Sequence, residues 1–547
     1  MWRRLLAALT ITIFLEPFAF GWQSAPAAAS SSAAVLTSAE QGAAARVKSK
    51  TIREVTTALA SVEMQGRGTG QPGGEKAARY IADRFAKLGL KPLGEAGTYL
   101  QPIKFRVQQP LTETSLKFGE EALKYGSDFV VSPPYTGDKS ASGGVVFVAY
   151  GLRNDFGSLD VKGKIVMLIN GPPKNTDEAQ WKKANAAQLI VGNLLQRGAA
   201  GLIIANSGTK QTPYPTLADY LIRRRVELED EQEAPSALPP FILISDEAAE
   251  KLFAGSDITY AQAREKADRS EFVSRALKNP AKISIRVKKE KGVSNNVVGL
   301  LEGSDPKLKE EAVVYTAHYD AFGIGADGRI YPGAADNALG VAEMISVAEA
   351  LSQATARPRR SIIFLAVTGE EYGLLGTEHW VKHPTWKIQK LAANFNFDGM
   401  GTEVYGPVKR VVGFGMEHSD LGAMLEQVSA ATGSAILPDP MPEEKAFYRS
   451  DHYAFVKKGV PALMLLGAPE MERSALVARL KKWEETDYHQ PTDTVRAEWN
   501  WDGPRAIAVI GLIVGMRVAE RDQMPAWLPS SPFNQPRGTN KQPPPEQ

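Results

Sequence analysis

In the second half of the chain short apolar runs recur, and each stops at a polar turn: NNVVGLLEG from Asn295, EAVVYTAHYD from Glu311, RSIIFLAVTGEE from Arg360 and LAANFNFDGMG from Leu391. Segments with helical character, such as ALGVAEMISVAEALSQ from Ala338, lie between them. Strands alternating with helices predict an α/β fold with a mixed, mostly parallel central sheet flanked by helices. In such sheets function gathers at the carboxyl ends of the strands. Near the amino end, EKAARYIADRFAKLGLKP (Glu75 to Pro92) places Ala77, Tyr80, Ile81, Phe85 and Leu88 on one stripe, and Gly89 and Pro92 stop the helix. The pattern changes between Gly119 and Asn279, where the short runs GGVVFVAYG, KGKIVMLINGPP and LPPFILIS surround a helical ANAAQLIVGNLLQRGAAG. This predicts an inserted β-rich α+β domain over 119–279, with one packed helix. It would separate an amino-terminal part, 37–118, from the main part, 280–522.

Composition and charge then change the picture. At 547 residues the chain is too long for one core, which agrees with an insertion. The net charge of +2, from 64 basic and 62 acidic residues, gives no general pull toward nucleic acid or an anionic membrane. The local run Arg223-Arg224-Arg225 is balanced at once by Glu227, Glu229, Asp230, Glu231 and Glu233, as on a solvated surface. No cysteine is present, so disulfides, thiolate metal sites, a cysteine nucleophile and a lipoprotein anchor are all excluded. The start, MWRRLLAALTITIFLEPFAFGWQSAPAAAS, carries Arg3 and Arg4, an apolar stretch to Phe14, and small residues at Ala27-Ala28-Ala29. That predicts a signal peptide over 1–29 and export to a periplasm or the exterior, without a later membrane span. The end, 523–547, is Pro-rich and polar and reads as a disordered tail.

The residues with chemistry sit where the runs end. His318 and Asp320 are two apart, so on a strand they share a face, and a carboxylate beside a ligand histidine can fix its tautomer. Asp336 and Asn337 stand in YPGAADNALG, a turn that would equally suit a helix N-cap. Glu370 and Glu371 follow the apolar SIIFLAV, Asp398 ends NFNFD, and Tyr488, His489 and Asp493 share YHQPTDT. Each alone is bland. Together, two histidines with several acids at the ends of buried runs suit two zinc ions sharing one bridging carboxylate. No G-x-S-x-G elbow is present, which disfavours a serine hydrolase.

The motifs AHYDAFG, PGAADNALGVA, TGEEYGLLG, NFDGMG, RSDHYAF and YHQPTDT, in this order between Asn295 and Val518, resemble the co-catalytic di-zinc exopeptidases of the leucyl aminopeptidase type. Glutamate carboxypeptidase II, glutaminyl cyclase and the transferrin receptor are relatives on the same phosphorylase/hydrolase-like fold. The insert, with DVKGKIVML, QRGAAGLIIAN and PPFILIS, resembles a protease-associated domain. The resemblance implies that His318, Asp336 and Glu371 bind one Zn2+ and that Asp336, Asp398 and His489 bind the other. It further implies that Asp320 orients His318, that Glu370 is the general base, and that Tyr488 polarises the developing oxyanion. Asp451 and His452 would support the site from behind the ligands. His379, His383 and His418 match nothing. The expected activity is that of a secreted aminopeptidase acting on peptides with a free N-terminus. A carboxypeptidase would need a basic pocket, for which Arg449 and Arg67 are unplaced candidates. A one-zinc glutaminyl-cyclase-like acyltransferase and a receptor that has lost its metals are the other expectations on this fold.

Overall fold

The computed structural model describes residues 35–539, apart from 136, 207–211, 232–236, 327 and 400. The expected signal peptide and residues 540–547 lie outside them. No helix among the described residues is long and apolar enough to cross a membrane. The chain divides into two units: Arg106–Arg225 with Asp230–Glu290, and the described residues up to Phe105 with Val226–Glu229 and the described residues from Lys291 onward.

The larger unit is built on a mixed sheet. Its centre is parallel: Ala312–His318 pairs with Ser361–Val367 on one side and with Leu391–Phe397 on the other, and Leu391–Phe397 pairs with Ala462–Pro469. Antiparallel strands flank this centre, Val287–Leu301 beside Ser361–Val367 and Val408–Phe414 beside Ala462–Pro469. The three strands Ala312–His318, Ser361–Val367 and Leu391–Phe397 are buried at every position. Strands covered on both faces read as unbroken apolar runs, which is why they stand out in the sequence. Tyr315 shows how tightly the helices close over them. Its ring stacks 5.6 Å from Phe364 and 6.0 Å from Phe397, and its hydroxyl donates to Gly511 O at 3.0 Å. Gly511 lies on the helix Asp502–Glu520, where a Cβ would come within 2.7 Å of the Phe397 ring.

The other unit holds a sheet ordered Glu121–Leu123, Ser115–Phe118, Arg275–Ile285, Lys139–Phe147, Ile165–Ile169, Gly201–Ala205, Phe241–Ile244, Phe129–Val131. Several helices accompany it rather than one. Besides Ala186–Gln196 there are Tyr214–Leu221, Asp246–Leu252 and Tyr260–Asp268. The last two are short and largely polar in sequence, yet Tyr260 and Phe253 form an aromatic cluster with Phe147 at 5.1–6.2 Å. This unit starts at residue 106 and ends at 290, where the expectation had 119 and 279. The limits fall inside the long strands Leu100–Pro110 and Val287–Leu301, where no turn marks them.

The two ends hold further structure. Residues 38–59 form the helices Ser38–Arg46 and Ser49–Leu59. Thr37 and Glu40 make a capping box at the first. The tail expected to be disordered from 523 instead packs on the larger unit up to 539. Phe533 is 2 % exposed, and Arg537 donates to the carbonyls of Leu391, Ala392 and Pro525 at 2.6–3.1 Å. A few anchoring side chains outweigh the Pro-rich composition between them.

Candidate metal centre

All five candidate ligands reach one place at the carboxyl ends of the parallel strands. His318 is the last residue of its strand. The turn Glu370–Tyr372 follows Ser361–Val367, and Asp398 follows Leu391–Phe397. Asp336 lies in the turn Ala334–Ala338 that leads into the helix Leu339–Ser352. His489 lies beyond the helix Arg473–Thr486 in a left-handed conformation, φ 58°, which is uncommon away from glycine and concentrates at functional sites.

The donor atoms form two groups. His318, Asp336 and Asp398 offer atoms within 4.8 Å of one another, and so do Asp336, Glu371 and His489. Asp336 belongs to both because its oxygens diverge, Oδ1 lying 3.2 Å from His318 Nε2 and Oδ2 lying 3.4 Å from His489 Nε2. His318 Nε2 is 3.3 Å from Asp398 Oδ1, and His489 Nε2 is 2.9 Å from Glu371 Oε2. The expected pairing is therefore exchanged: Asp398 goes with His318 and Glu371 with His489. Asp398 follows the strand adjacent to that of His318, whereas the turn after Gly369 carries Glu371 toward the His489 loop. Glu370 stays outside both groups, with Oε2 3.9 Å from His318 Nε2.

The surrounding side chains fix these loops. Asp493 accepts hydrogen bonds from the main-chain N–H of Ala335 (2.9 Å) and Asp336 (3.1 Å). Asn337 donates to Phe397 O at 2.8 Å and accepts from the Gly340 N–H at 3.0 Å, tying the Asp336 turn to the Asp398 strand. Ser450 donates to Asp398 Oδ2 and accepts from Asn396 Nδ2 at 2.7 Å. Asp320 acts otherwise than expected. Its main-chain oxygen, 3.2 Å from His318 Nδ1, is nearer than its carboxylate at 3.7 Å. The carboxylate accepts from the Glu370 N–H (3.2 Å) and Thr69 Oγ1 (3.1 Å), so it holds the glutamate turn as well. Arg67 is no pocket residue. It is fully buried and donates to the carbonyls of Tyr319, Leu59 and Gly333 at 2.6–2.8 Å and to that of Pro332. Burial lowers its guanidinium to about 10.

The electrostatics favour cations. Burial pushes the Glu370 carboxyl well above its usual range, opposed by His318 and reinforced by the charges of Asp398, Asp451 and Glu371. Burial likewise raises Glu371 to about 6 and Asp493 to about 7. Burial disfavours the charged ring of His489, yet Glu371 and Asp336 overcome it and lift the ring to about 9. Carboxylates that draw protons onto neighbouring imidazoles form a site with a shortage of positive charge. Tyr488 stacks on the His489 ring at 3.6 Å, and Phe322 meets its edge at 4.7 Å. Asp451 accepts from Thr377 Oγ1, and burial moves it to about 7. His452 is fully buried, its ring lowered to about 4 by desolvation. Neither belongs to a ligand group. His318, Asp336, Glu370, Asp398 and Tyr488 line a cavity whose other walls include Glu444, Ala446, Arg449, Met464, Trp483 and Glu484. Arg449 reaches Glu444 at 3.2 Å. The supporting roles of Ser450, Asp493 and Asn337 escaped the sequence reading although all three stand inside quoted motifs, because position in a motif does not say which group a side chain touches.

The model of peptidase family M28 matches residues 296–512, which contain every residue of the two ligand groups. The aminopeptidase YwaD of Bacillus subtilis is 35% identical over 111 residues, 20% of this chain and 22% of its own length. A vacuolar membrane protease of Lodderomyces elongisporus is 31% identical over 108 residues, 20% of this chain and 10% of its own. A glutamate carboxypeptidase 2 homolog of Caenorhabditis elegans is 26% identical over 307 residues, 47% of this chain and 37% of its own. The matched stretches thus span between a tenth and little more than a third of these relatives. Among solved structures, an aminopeptidase from Aneurinibacillus sp. strain AM-1 superposes with a TM-score of 0.60 at 19% identity, covering 89% of this chain and 97% of the other. A zinc aminopeptidase from Bacillus subtilis does so with 0.54 at 19% identity, covering 87% and 97%. At this identity they establish likeness of fold. Residues 296–512 thus match the model of peptidase family M28, and the fold is like that of these solved aminopeptidases.

Proposed function

We propose that the protein is a zinc-dependent exopeptidase that removes N-terminal residues from peptides. The observation that carries this reading is Asp336, which offers one oxygen to each of two His–carboxylate groups, with the unliganded Glu370 beside them. Two imidazoles and three carboxylates are the donor chemistry that zinc takes in proteins. His318, Asp336 and Asp398 would hold one ion, and Asp336, Glu371 and His489 the other. Bound there, the ions would lower the pKa of an attacking water and offset negative charge on the substrate carbonyl oxygen. Glu370 accepts the water's proton and returns it to the leaving amine. Its raised affinity for protons, set by burial, suits that exchange. Tyr488, packed on His489, would face the developing oxyanion. Asp493 and Ser450 keep Asp336 and Asp398 in place.

The acidic walls Glu444 and Glu484 and the surplus negative charge of the centre suit a free ammonium group on the substrate. Arg449 is the one observation favouring a carboxypeptidase, but Glu444 already takes its guanidinium. Export after removal of the leader, and a protease-associated character for the inserted unit, belong to the same reading. A panel of aminoacyl anilides and dipeptides, free and N-acetylated, with and without chelator, tests it. Hydrolysis confined to free-amine substrates and abolished by chelator is expected. Cleavage of N-blocked peptides from the carboxyl end would replace the aminopeptidase with a carboxypeptidase.

A further inference from the structure

The segment 524–539 forms a strap that is fastened at both ends. Trp527 forms a β-bridge with Ser419 and donates its indole N–H to Gly459 O at 3.1 Å. At the other end Arg537 holds the Leu391 and Ala392 carbonyls, and the Gly538 N–H donates to Lys458 O at 2.7 Å. Between these anchors Phe533 is buried. Its ring lies 5.5 Å from Phe447, 4.8 Å from His418 and 6.3 Å from Tyr453.

Phe447 belongs to the loop that walls the cavity. That loop consists of two short turns, Pro442–Glu444 and Ala446–Tyr448, joined at Lys445 with φ 51°. Single 3₁₀ turns have poor hydrogen-bond geometry and do not hold a conformation by themselves. The side chains divide between two sides. Glu444, Ala446 and Arg449 line the cavity, whereas Phe447 is 7 % exposed and packs against the strap. Gly415 makes room for it, since a Cβ there would lie 2.6 Å from Phe447 Cε2. Ser450, next in the chain, has a separate hold through Asn396.

We propose that Phe533 is a positioning residue for this site: by capping Phe447 it fixes the cavity wall formed by Glu444, Ala446 and Arg449, and so sets how tightly substrate is held. Asp398 has its own hold in Ser450 and Asn396, apart from the Phe533–Phe447 contact. The kinetic part of this inference rests on the exopeptidase reading; the structural part does not.

The test compares full-length, zinc-loaded wild type with Phe533→Ala and Phe533→Leu. Amide hydrogen exchange is measured across the chain, and kcat and KM with an aminoacyl anilide. Phe533→Ala is expected to speed exchange at 443–449 while Leu391–Phe397 stays protected. It should raise KM about tenfold with kcat within about twofold, the signature of lost binding rather than lost chemistry. Phe533→Leu, which refills most of the space, should restore both. If Phe533→Ala does not fold, Trp527→Ala loosens the strap from its other end and should give the same split. Unchanged loop exchange, or exchange raised throughout the sheet with kcat and KM both impaired, overturns the proposal. A wild type without hydrolysis but with loop-confined exchange in the variant supports the strap's hold on the loop and overturns the exopeptidase reading instead.

Discussion

Two clusters of buried carboxylates lie in the larger unit, on neighbouring pieces of chain, and they settle their charge in different ways. Asp336, Glu370, Glu371 and Asp398 converge with His318 and His489. Glu343, on the helix that follows Asp336, and Glu403, in the turn that follows Asp398, are each 1 % exposed and influence one another with no imidazole between them. Burial pushes Glu343 well above the usual carboxylate range and Glu403 to about 7. The first cluster offers nitrogen and oxygen donors converging on two points, which suits cations. The second offers only like charges, and two such groups in a dry interior keep a proton. A count of acids therefore does not identify a metal site; the company of imidazoles does.

The sharpest way to break this comparison is to remove the cations. A strong chelator should abolish hydrolysis, and zinc should restore it, with close to two ions per chain by elemental analysis. Persistent hydrolysis in the stripped protein would leave the two clusters without the difference claimed for them. Next in size, Glu370→Gln should lower kcat at least about 100-fold, the lower range of acid–base catalysis, with metal content unchanged. Full activity would remove Glu370 from its role. Smaller again is Asp493→Ala. It deprives the Ala335 and Asp336 N–H groups of their acceptor, so the shared carboxylate loses its support. Metal affinity should fall about 10- to 100-fold in a competitive chelator titration, as for other groups that orient ligands. The comparable Asp320→Ala change should also affect the glutamate turn, because Asp320 binds the Glu370 N–H.

How much of this was legible differs from element to element. The strands of His318, Glu370 and Asp398 announce themselves because each is buried on both faces, so the sequence has no polar alternation to hide them. The convergence of the five candidate ligands followed from their positions at strand ends together with the family resemblance. Which carboxylate joins which histidine did not, since Glu370 and Glu371 sit in a turn whose direction depends on Gly369 at φ 74° and on packing with residues far away in sequence. Arg67 looked like a candidate for the pocket because its charge is visible in the sequence and its carbonyl partners are not. The strap was hidden for the converse reason. Its Pro-rich stretch dominates the composition, while its order rests on Trp527, Phe533 and Arg537.

The mildest test for catalysis addresses the second cluster directly. In the metal-stripped protein Glu403 ionises near 7 when folded, against a usual 4.5. The folded state thus binds its proton more tightly than the unfolded chain does. The sign follows by linkage: the stability gained from the protonated form is complete below pH 4.5 and is lost as pH rises through 7. The total is on the order of 3 kcal/mol, at about 1.4 kcal/mol per pH unit. Glu403→Gln keeps the shape and cannot ionise. Urea unfolding of the stripped proteins should show nearly equal stability at about pH 5 and a more stable variant at about pH 8, with activity of the zinc-loaded enzyme changed only a few-fold. Parallel curves for the two proteins would mean that Glu403 is charged throughout. A cation would then be needed at Glu343 and Glu403 as well, and the distinction between the clusters would fall.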